Sequence, residues 1–300
     1  MNHDRPDVRH ALLFGALWAA EEALTGLLLA RYGLAQIVWM RFATHLLIVW
    51  LIWGRMQPAS LLRTRRPLMH LVRAAALVAM PACWALGMRR GLPPATLMSV
   101  FWLAPVLILA MARLLLRERV VPRVWGATAL ASIGVFVVTG PHRLPDTMLL
   151  IYPLGMAMSF SVFLVLTRML RHEPEPVALT YLGLGVCVLL APFAAVGWTA
   201  PRPTHLLVVG AIALVGIGAL LAMGRLVAVS RLSRSAPMAY LQIPFAMALG
   251  WWLGVHAPGW EGYAGLAVVL LSVLLAWSHA GAEAGEGAVE TAPARLESRL

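Results

Sequence analysis

Ten apolar stretches run through the chain, separated by short segments rich in proline, glycine and arginine. A helix of about 20 residues crosses the hydrocarbon core of a bilayer, so each stretch is predicted to be a transmembrane helix. The stretches cover residues 11–30, 35–53, 68–88, 94–116, 122–140, 147–170, 177–198, 204–228, 235–255 and 260–278. Because the remaining loops are too short to hold a soluble domain, the sequence predicts an all-α polytopic membrane protein.

The composition agrees with a membrane protein and excludes several soluble classes. Hydrophobic residues make up 61% of the chain and charged residues 12%, whereas a soluble domain carries about a quarter charged residues. Both cysteines, Cys83 and Cys187, lie in apolar stretches without metal-ligand spacing. The sequence therefore excludes a disulfide-stapled secreted protein and a zinc module, and we expect no metal and no cofactor.

The net charge of +11 comes from arginines that fall mostly between the apolar stretches. This distribution predicts membrane topology rather than nucleic-acid binding, because arginine is enriched in the cytoplasmic loops of membrane proteins. With a cytoplasmic N-terminus, sixteen arginines lie on the inner side and five on the outer side. Both termini are therefore predicted to be cytoplasmic, in a multi-pass protein of the bacterial inner membrane.

The ten predicted helices divide into two sets of five, residues 1–143 and 144–280. A shift of 139 residues places Phe101 on Tyr240 and Pro105 on Pro244, and likewise Gly126 on Gly265 and Leu130 on Val269. Because five is an odd number, a repeated set would be inverted in the membrane relative to the first. Residues 281–300 are polar and poor in aromatic side chains, so we predict a disordered cytoplasmic tail.

Three charged residues lie well inside the first two predicted spans: Glu21, Glu22 and Arg41. Charges within a membrane are costly and often functional. One interpretation is a structural ion pair between Glu22 and Arg41. Successive helix positions differ by 100°, so Glu21 and Glu22 cannot both face the same arginine, and one glutamate is left over. In the other interpretation, this glutamate carries a proton or balances a cationic substrate.

Further candidate residues surround this group. His45 lies one turn after Arg41, and Trp18 one turn before Glu22, so the first two helices are predicted to supply an acid, a base and an aromatic wall. Trp102 is a second candidate wall residue, and Tyr240 with Gln242 would complete the site from the second half. Prolines inside predicted helices are candidate hinges: Pro81, Pro105 and Pro244.

Other polar residues near predicted helix ends have simpler expected roles. His70 is expected to be solvated, and Arg73 to reach toward lipid headgroups. Glu118, between two arginines, is expected to be a local electrostatic anchor rather than a gate.

Several segments resemble the drug/metabolite transporter superfamily, and within it the EamA-type ten-helix carriers. They are Ala16-Leu17-Trp18, Arg41-Phe42, Ala104-Pro105, LLLRERVVPRVWG at 114–126, Gly134, SRSAPMAYLQIPF at 233–245 and Gly265. The resemblance covers about residues 11–278. The second half departs from the pattern, with Gly254-Val255-His256 where the family often has an acid after the glycine. The run from Arg66 through His70 and Arg73 to Pro105, with Pro141 after the fifth predicted helix, resembles the subgroup that contains S-adenosylmethionine carriers.

This resemblance implies two inverted five-helix repeats around a central cavity, with alternating access. We therefore expect a transporter, not an enzyme, for a small zwitterionic or cationic metabolite, driven by protons or by exchange. The expected partners are the substrate and membrane lipids, and the protein is expected to be a monomer or homodimer. The alternatives are a flippase for lipid-like substrates and a membrane assembly protein without transport activity.

Overall fold

A computed structural model describes residues 8–55, 58–140, 147–254 and 259–290, with side chains to residue 278. Within these ranges all regular structure is helical. The α-helices are α1 (Val8–Leu29), α2 (Leu34–Val49), α3 (Pro67–Arg89), α4 (Pro94–Phe101), α5 (Ala104–Leu115), α6 (Pro122–Thr139), α7 (Ile151–Met169), α8 (Glu175–Ala195), α9 (Pro203–Val229), α10 (Leu232–Ser235), α11 (Gln242–Trp252) and α12 (Trp260–Glu290). A π-helical turn extends α2 from Trp50 to Gly54, and 3-10 turns lie at Pro58–Leu62, Thr147–Leu150 and Ala236–Leu241.

Nine helices within the described ranges are long and apolar enough to cross a membrane. Their bounds lie within three residues of nine of the ten predicted spans. Proline explains much of this agreement, because a proline begins four of the helices, where its missing N–H costs no hydrogen bond: Pro67, Pro94, Pro122 and Pro203. The chain is thus a polytopic α-helical membrane protein.

The predicted ninth span is not one continuous helix. Residues 232–252 form α10, a 3-10 turn and α11 in succession, and the predicted end at residue 255 lies outside the described residues. The 3-10 turn is completely buried. This segment is called the broken segment below.

Two ends of the helical bundle are defined by contacts between helix termini. At one end Arg66 donates from Nη1 to the Met169 carbonyl at 3.1 Å, and Arg225 pairs with Glu175. We call it the basic end because it carries most of the described arginines: Arg55, Arg63, Arg65, Arg66, Arg117, Arg119, Arg123, Arg168, Arg171, Arg225, Arg231 and Arg234. The opposite end, called the far end, carries Arg31, Arg89, Arg90 and Arg202.

Helices from the first and second halves of the chain pack against each other throughout the bundle. Helix α1 packs on α9 and on the broken segment, and α7 packs on α3, α4 and α5. Helix α2 contacts α8 and α9, and α8 also contacts α3. The two halves therefore form one interleaved structure.

Helices α6 and α12 form a very close pair. A Cβ atom added to Gly265 would lie 2.7 Å from the carbonyl oxygen of Gly134, and one added to Gly134 would lie 3.0 Å from the carbonyl oxygen of Gly265. Small residues allow such backbone approach between helices in membranes. Glycine at both positions therefore permits this contact.

The last helix continues to Glu290, beyond the predicted span end at residue 278. The helix thus enters the segment predicted to be a disordered tail, while 291–300 lie outside the described residues, and the disorder of the tail stays a prediction. Alanine and glutamate are strong helix formers, and adding residues to an existing helix avoids the cost of nucleation. The predicted boundary between the halves, at residue 143, also lies outside the described residues.

Candidate functional site

A cavity of about 300 Å³ lies between α1, α2, α3, α7 and α9. It extends from Leu29 and Leu34 at the far end to Phe163 and Met223 in the bundle interior. Its wall is mostly apolar, and its charged lining residues are Glu21, Glu22 and Arg41. The three intramembrane charges identified in the sequence therefore meet at one cavity, which has the concave and mainly apolar character of a small-molecule site.

Glu21, rather than Glu22, pairs with Arg41. The Arg41 Nη1 donates to Glu21 Oε1, and the side chains are only 15% and 13% exposed, respectively. The guanidinium also lies 4.8 Å from the centre of the Phe42 ring. The interpretation that Glu22 pairs with Arg41 is thus wrong. The rotational position of α1 directs Glu21, and not Glu22, toward α2.

Glu22 is the glutamate left over, and it contacts the second half of the chain. Gln242 donates from Nε2 to Glu22 Oε2 at 2.7 Å. Gln242 is the first residue of α11 and is buried, with 3% exposure. Among the described residues no cation pairs with Glu22. One hydrogen bond thus joins the cavity carboxyl group to the broken segment through Gln242.

Two glycines that the sequence analysis did not consider make these contacts possible. A Cβ atom on Gly216 of α9 would lie 2.6 Å from Arg41 Nη2 and 3.0 Å from Nε. A Cβ atom on Gly15 of α1 would lie 3.0 Å from the backbone nitrogen of Gln242. Neither glycine belongs to a recognisable motif; the general enrichment of small residues at helix contacts was the available sequence indication.

Trp18 lines the cavity and belongs to an aromatic cluster. Its ring centre lies 5.1 Å from that of Phe160, which also lines the cavity, and 5.8 Å from that of Trp102. Trp102 packs behind Trp18 and does not line the cavity. The predicted aromatic wall is therefore formed by Trp18 with Phe160.

Tyr240 lies behind this wall and is fully buried. Its hydroxyl donates to the Trp102 carbonyl at 3.0 Å and lies 2.8 Å from the Ser132 hydroxyl. Its ring centre is 5.6 Å from that of Trp102. Tyr240 thus holds the 3-10 turn of the broken segment against the break between α4 and α5, away from the cavity.

His45 also lies outside the cavity lining. It is 1% exposed, and its Nε2 lies 3.1 Å from the Leu179 carbonyl on α8. Gly183 leaves space beside the imidazole, since a Cβ there would lie 3.2 Å from its Cδ2. The expectation that His45 supplies a base along the cavity is wrong, because the ring turns toward α8.

The three candidate hinge prolines occupy different positions. Pro81 lies inside the continuous helix α3 and lines the cavity. Pro105 and Pro244 were expected well inside helices, but they lie in the first turns of α5 and α11, each after a break. Proline lacks a backbone N–H and its ring clashes with the carbonyl four residues earlier, here Phe101 and Tyr240, which accounts for the two breaks.

Three residues near the basic end complete the comparison with the sequence. Glu118 accepts hydrogen bonds from the backbone nitrogens of Ser233 at 2.7 Å and Leu232 at 3.2 Å, which agrees with an anchoring role. His70 is fully buried, stacked on Tyr181, and Arg73 is 4% exposed. The expectations that His70 is solvated and that Arg73 reaches lipid headgroups are both wrong, because α7 and α8 cover this part of α3.

Comparisons with known proteins agree with a transporter. No family model matches the chain. The S-adenosylmethionine uptake transporter of Rickettsia felis is 20% identical over 214 residues, which cover 71% of this chain and 72% of that protein. The riboflavin transporter of Rhizobium johnstonii is 24% identical over 218 residues, 71% of each chain.

A solved crystal structure shares the fold. It aligns with 91% of this chain and 96% of its own, at a TM-score of 0.77 and 18% sequence identity. At this identity the likeness concerns the fold alone. The named relatives and the transmembrane helices, in turn, support a membrane transporter of small metabolites.

Proposed function

We propose that this chain is a secondary transporter that moves a small zwitterionic or cationic metabolite across the bacterial inner membrane by alternating access. The observation that carries the proposal is the arrangement of Glu21, Glu22 and Arg41 on the wall of a largely apolar cavity. The expected substrate class is an amino acid or an amino-acid derivative such as S-adenosylmethionine.

The charges define the chemistry of this site. Glu21 balances Arg41, so Glu22 is the carboxyl group available to a substrate cation. Arg41 has donors beyond the Nη1–H that binds Glu21, and these suit a substrate carboxylate. Trp18 and Phe160 offer aromatic faces, which attract cations and stack on planar groups.

The packing of the helices supports an inverted repeat. If α1 corresponds to α7 and α3 to α9, the contact of α1 with α9 corresponds to that of α7 with α3. Likewise, the contact of α1 with α11 corresponds to that of α7 with α5. The breaks before Ala104 and Gln242 also lie about one repeat length apart, near Pro105 and Pro244. We infer ten transmembrane segments, with the broken segment as the ninth.

The position of the cavity supports a direction of opening. Its lining reaches the connection between α1 and α2 at the far end, and Phe163 and Met223 close it toward the basic end. Because arginine-rich loops stay in the cytoplasm, we place the basic end there. The cavity then faces the periplasm, and both termini are cytoplasmic.

The hydrogen bond between Glu22 and Gln242 offers a route for coupling. A proton or a substrate cation at Glu22 changes the charge beside Gln242, and Gln242 is the first residue of α11. Proton coupling and exchange both use this contact. Pro81, Pro105 and Pro244 are the proposed hinges.

The proposal is tested by ligand binding to the purified protein. Thermal unfolding would be measured with amino acids, S-adenosylmethionine, riboflavin, polyamines and sugars, because a ligand that binds the folded state raises the melting temperature. A stabilising zwitterion or cation should lose its effect in Glu22→Gln and keep it in Glu261→Gln, a matched change at an exposed glutamate of α12.

Flux assays then separate the coupling modes. Proteoliposomes would be loaded with the stabilising compound, with and without a pH gradient or an external exchange partner. A response to the pH gradient that disappears in Glu22→Gln supports proton coupling. Stabilisation by sugars alone, or by no compound of the panel, would contradict the proposed substrate class.

A further inference from the structure

A second, smaller cavity of about 90 Å³ lies between α3, α7, α8 and α9, closer to the basic end. Its polar lining residues are Arg73, Thr167, Arg171, Glu173, Glu175 and Arg225. Arg171 and Arg225 are exposed, so the cavity communicates with solvent at the basic end. We call it the inner cavity, and the cavity at Glu22 the central cavity.

One layer of side chains separates the two cavities. Phe163, Leu220 and Met223 line both of them. Phe163 and Met223 are 2% and 3% exposed, so this partition is closed in the structure. A substrate that leaves the central cavity toward the basic end would meet the inner cavity next.

Arg73 provides an incompletely satisfied cation on the wall of the inner cavity. Its side chain is 4% exposed, and its Nη2 donates to the Ala178 carbonyl. Its Nε has no hydrogen-bond partner, although it is buried. The guanidinium lies 6.0 Å from the centre of the Phe163 ring, next to the partition. A buried donor without an acceptor is costly, which indicates a place for an acceptor.

The other charges of the inner cavity do not cancel that of Arg73. Glu175 pairs with Arg225, and Glu173 lies 3.8 Å from His70, which is one turn before Arg73 on α3. Arg171 adds a second cation to the lining. The lining thus holds more arginines than glutamates, and this excess of positive charge favours an anion over a cation.

We propose that the inner cavity is a transit subsite for the substrate's carboxylate, with Arg73 as its binding cation. The proposal rests on the transport function proposed above. The volume of the inner cavity corresponds to about three water molecules, which suits a carboxylate group rather than a whole metabolite. As the partition opens, the carboxylate exchanges Arg41 for Arg73, while the rest of the substrate still occupies the central cavity.

The first test does not depend on the identity of the substrate. Thr167→Cys, in a chain carrying Cys83→Ala and Cys187→Ala, places a single thiol in the inner cavity. In inside-out vesicles, its reaction rates with a sulfonate-bearing and an ammonium-bearing methanethiosulfonate are compared. Arg73 should favour the anionic reagent, and Arg73→Gln should reduce the rate ratio by about tenfold, the loss expected for one charge-assisted contact.

Two further variants control this measurement. Arg65→Gln removes an exposed positive charge at the same end and should leave the ratio unchanged. Arg73→Lys retains the charge and should retain most of the preference. An unchanged ratio in Arg73→Gln, or an equal change in Arg65→Gln, would overturn the anion site even if the central cavity binds substrate.

The second test concerns the source of the carboxylate. Proteoliposome flux of S-adenosylmethionine and of its decarboxylated analogue is measured for the unmodified protein and for Arg73→Gln. Flux of the carboxylate compound alone should fall by about tenfold, with unchanged thermal stabilisation by both compounds. Equal slowing of both compounds would assign the inner cavity to a resident small anion and overturn the transit subsite. If neither compound binds, the proposed function fails for this substrate, while the thiol measurement still decides the anion site.

Discussion

Gly216 lies directly against the guanidinium of Arg41, with no room for a side chain between α9 and the ion pair. A Cβ atom there would meet Nη2 at 2.6 Å. The position of Arg41 in the central cavity thus depends on a residue of the second half of the chain that carries no charge.

We predict that Gly216→Ala displaces Arg41 and weakens binding of any ligand that uses it. Arg41 can move away, but it then gives up its contacts with Glu21 and Phe42, so the melting temperature in detergent should fall. The loss should be smaller than the about 1–3 kcal/mol of overpacking against fixed atoms. Gly210→Ala, on the same helix but with open space around its Cβ, should be neutral or stabilising. Equal melting temperatures for the two variants would contradict the close contact.

The hydrogen bond between Glu22 and Gln242 should appear as a coupling energy. A double-mutant cycle with Glu22→Leu and Gln242→Leu is expected to give about 1–3 kcal/mol, because each single change leaves a buried partner unsatisfied. Unfolding in mild detergent measures this energy. Additive effects of the two changes would show that α1 and the broken segment do not communicate through this bond.

Removing one hydroxyl should loosen the broken segment. Tyr240→Phe deletes the hydrogen bonds to Trp102 and Ser132 and is expected to cost about 1 kcal/mol of stability. Tyr263→Phe, at an exposed position of α12, is the matched control. Amide hydrogen exchange near residues 236–241 should rise in the first variant and stay constant in the second.

The close pair α6–α12 should be intolerant of a larger residue. Gly265→Ala places a methyl group 2.7 Å from a backbone oxygen, and backbone cannot rotate away as a side chain can. We expect a loss of about 1–3 kcal/mol, measured by thermal unfolding. Gly126→Ala, on α6 with nothing near its Cβ, should be tolerated. A similar loss in both variants would place the sensitivity elsewhere than at this contact.

The orientation in the membrane can be tested with reporters. A reporter active only in the cytoplasm should function when fused after Leu300, since the basic end is proposed to face inward. The matched fusion in the loop after Arg90, at the far end, should be active only with a periplasmic reporter. The reverse pattern would invert both cavities relative to the two sides of the membrane.

The transmembrane helices were predictable because they depend on local properties of the sequence. Apolar length sets the spans, and prolines such as Pro67 and Pro203 set their starts. Pro105 and Pro244 were also identified as candidate hinges, because proline removes a helical hydrogen bond and clashes with the carbonyl four residues earlier. The two breaks lie next to each other behind Trp102, which depends on tertiary packing and was not predictable from the sequence.

The members of the candidate site were partly predictable, but their contacts were not. Glu21, Glu22, Arg41 and Trp18 line the central cavity together, while their roles there stay predictions. Which glutamate faces Arg41 depends on how α1 is rotated about its own axis. This rotation cannot be read from a single sequence. His45 turns toward α8 because Gly183 leaves space there, which required the position of a distant helix.

The glycine contact between α6 and α12 has a mechanical consequence. The backbones of the two helices touch. Sliding one helix along the other would therefore push side chains such as Val138 and Val269 into the neighbouring helix. We expect α6 and α12 to stay together as one rigid unit during the transport cycle. Motion is then left to the helices that enclose the cavities, α1 with α9 and α3 with α7, which pack mainly on each other.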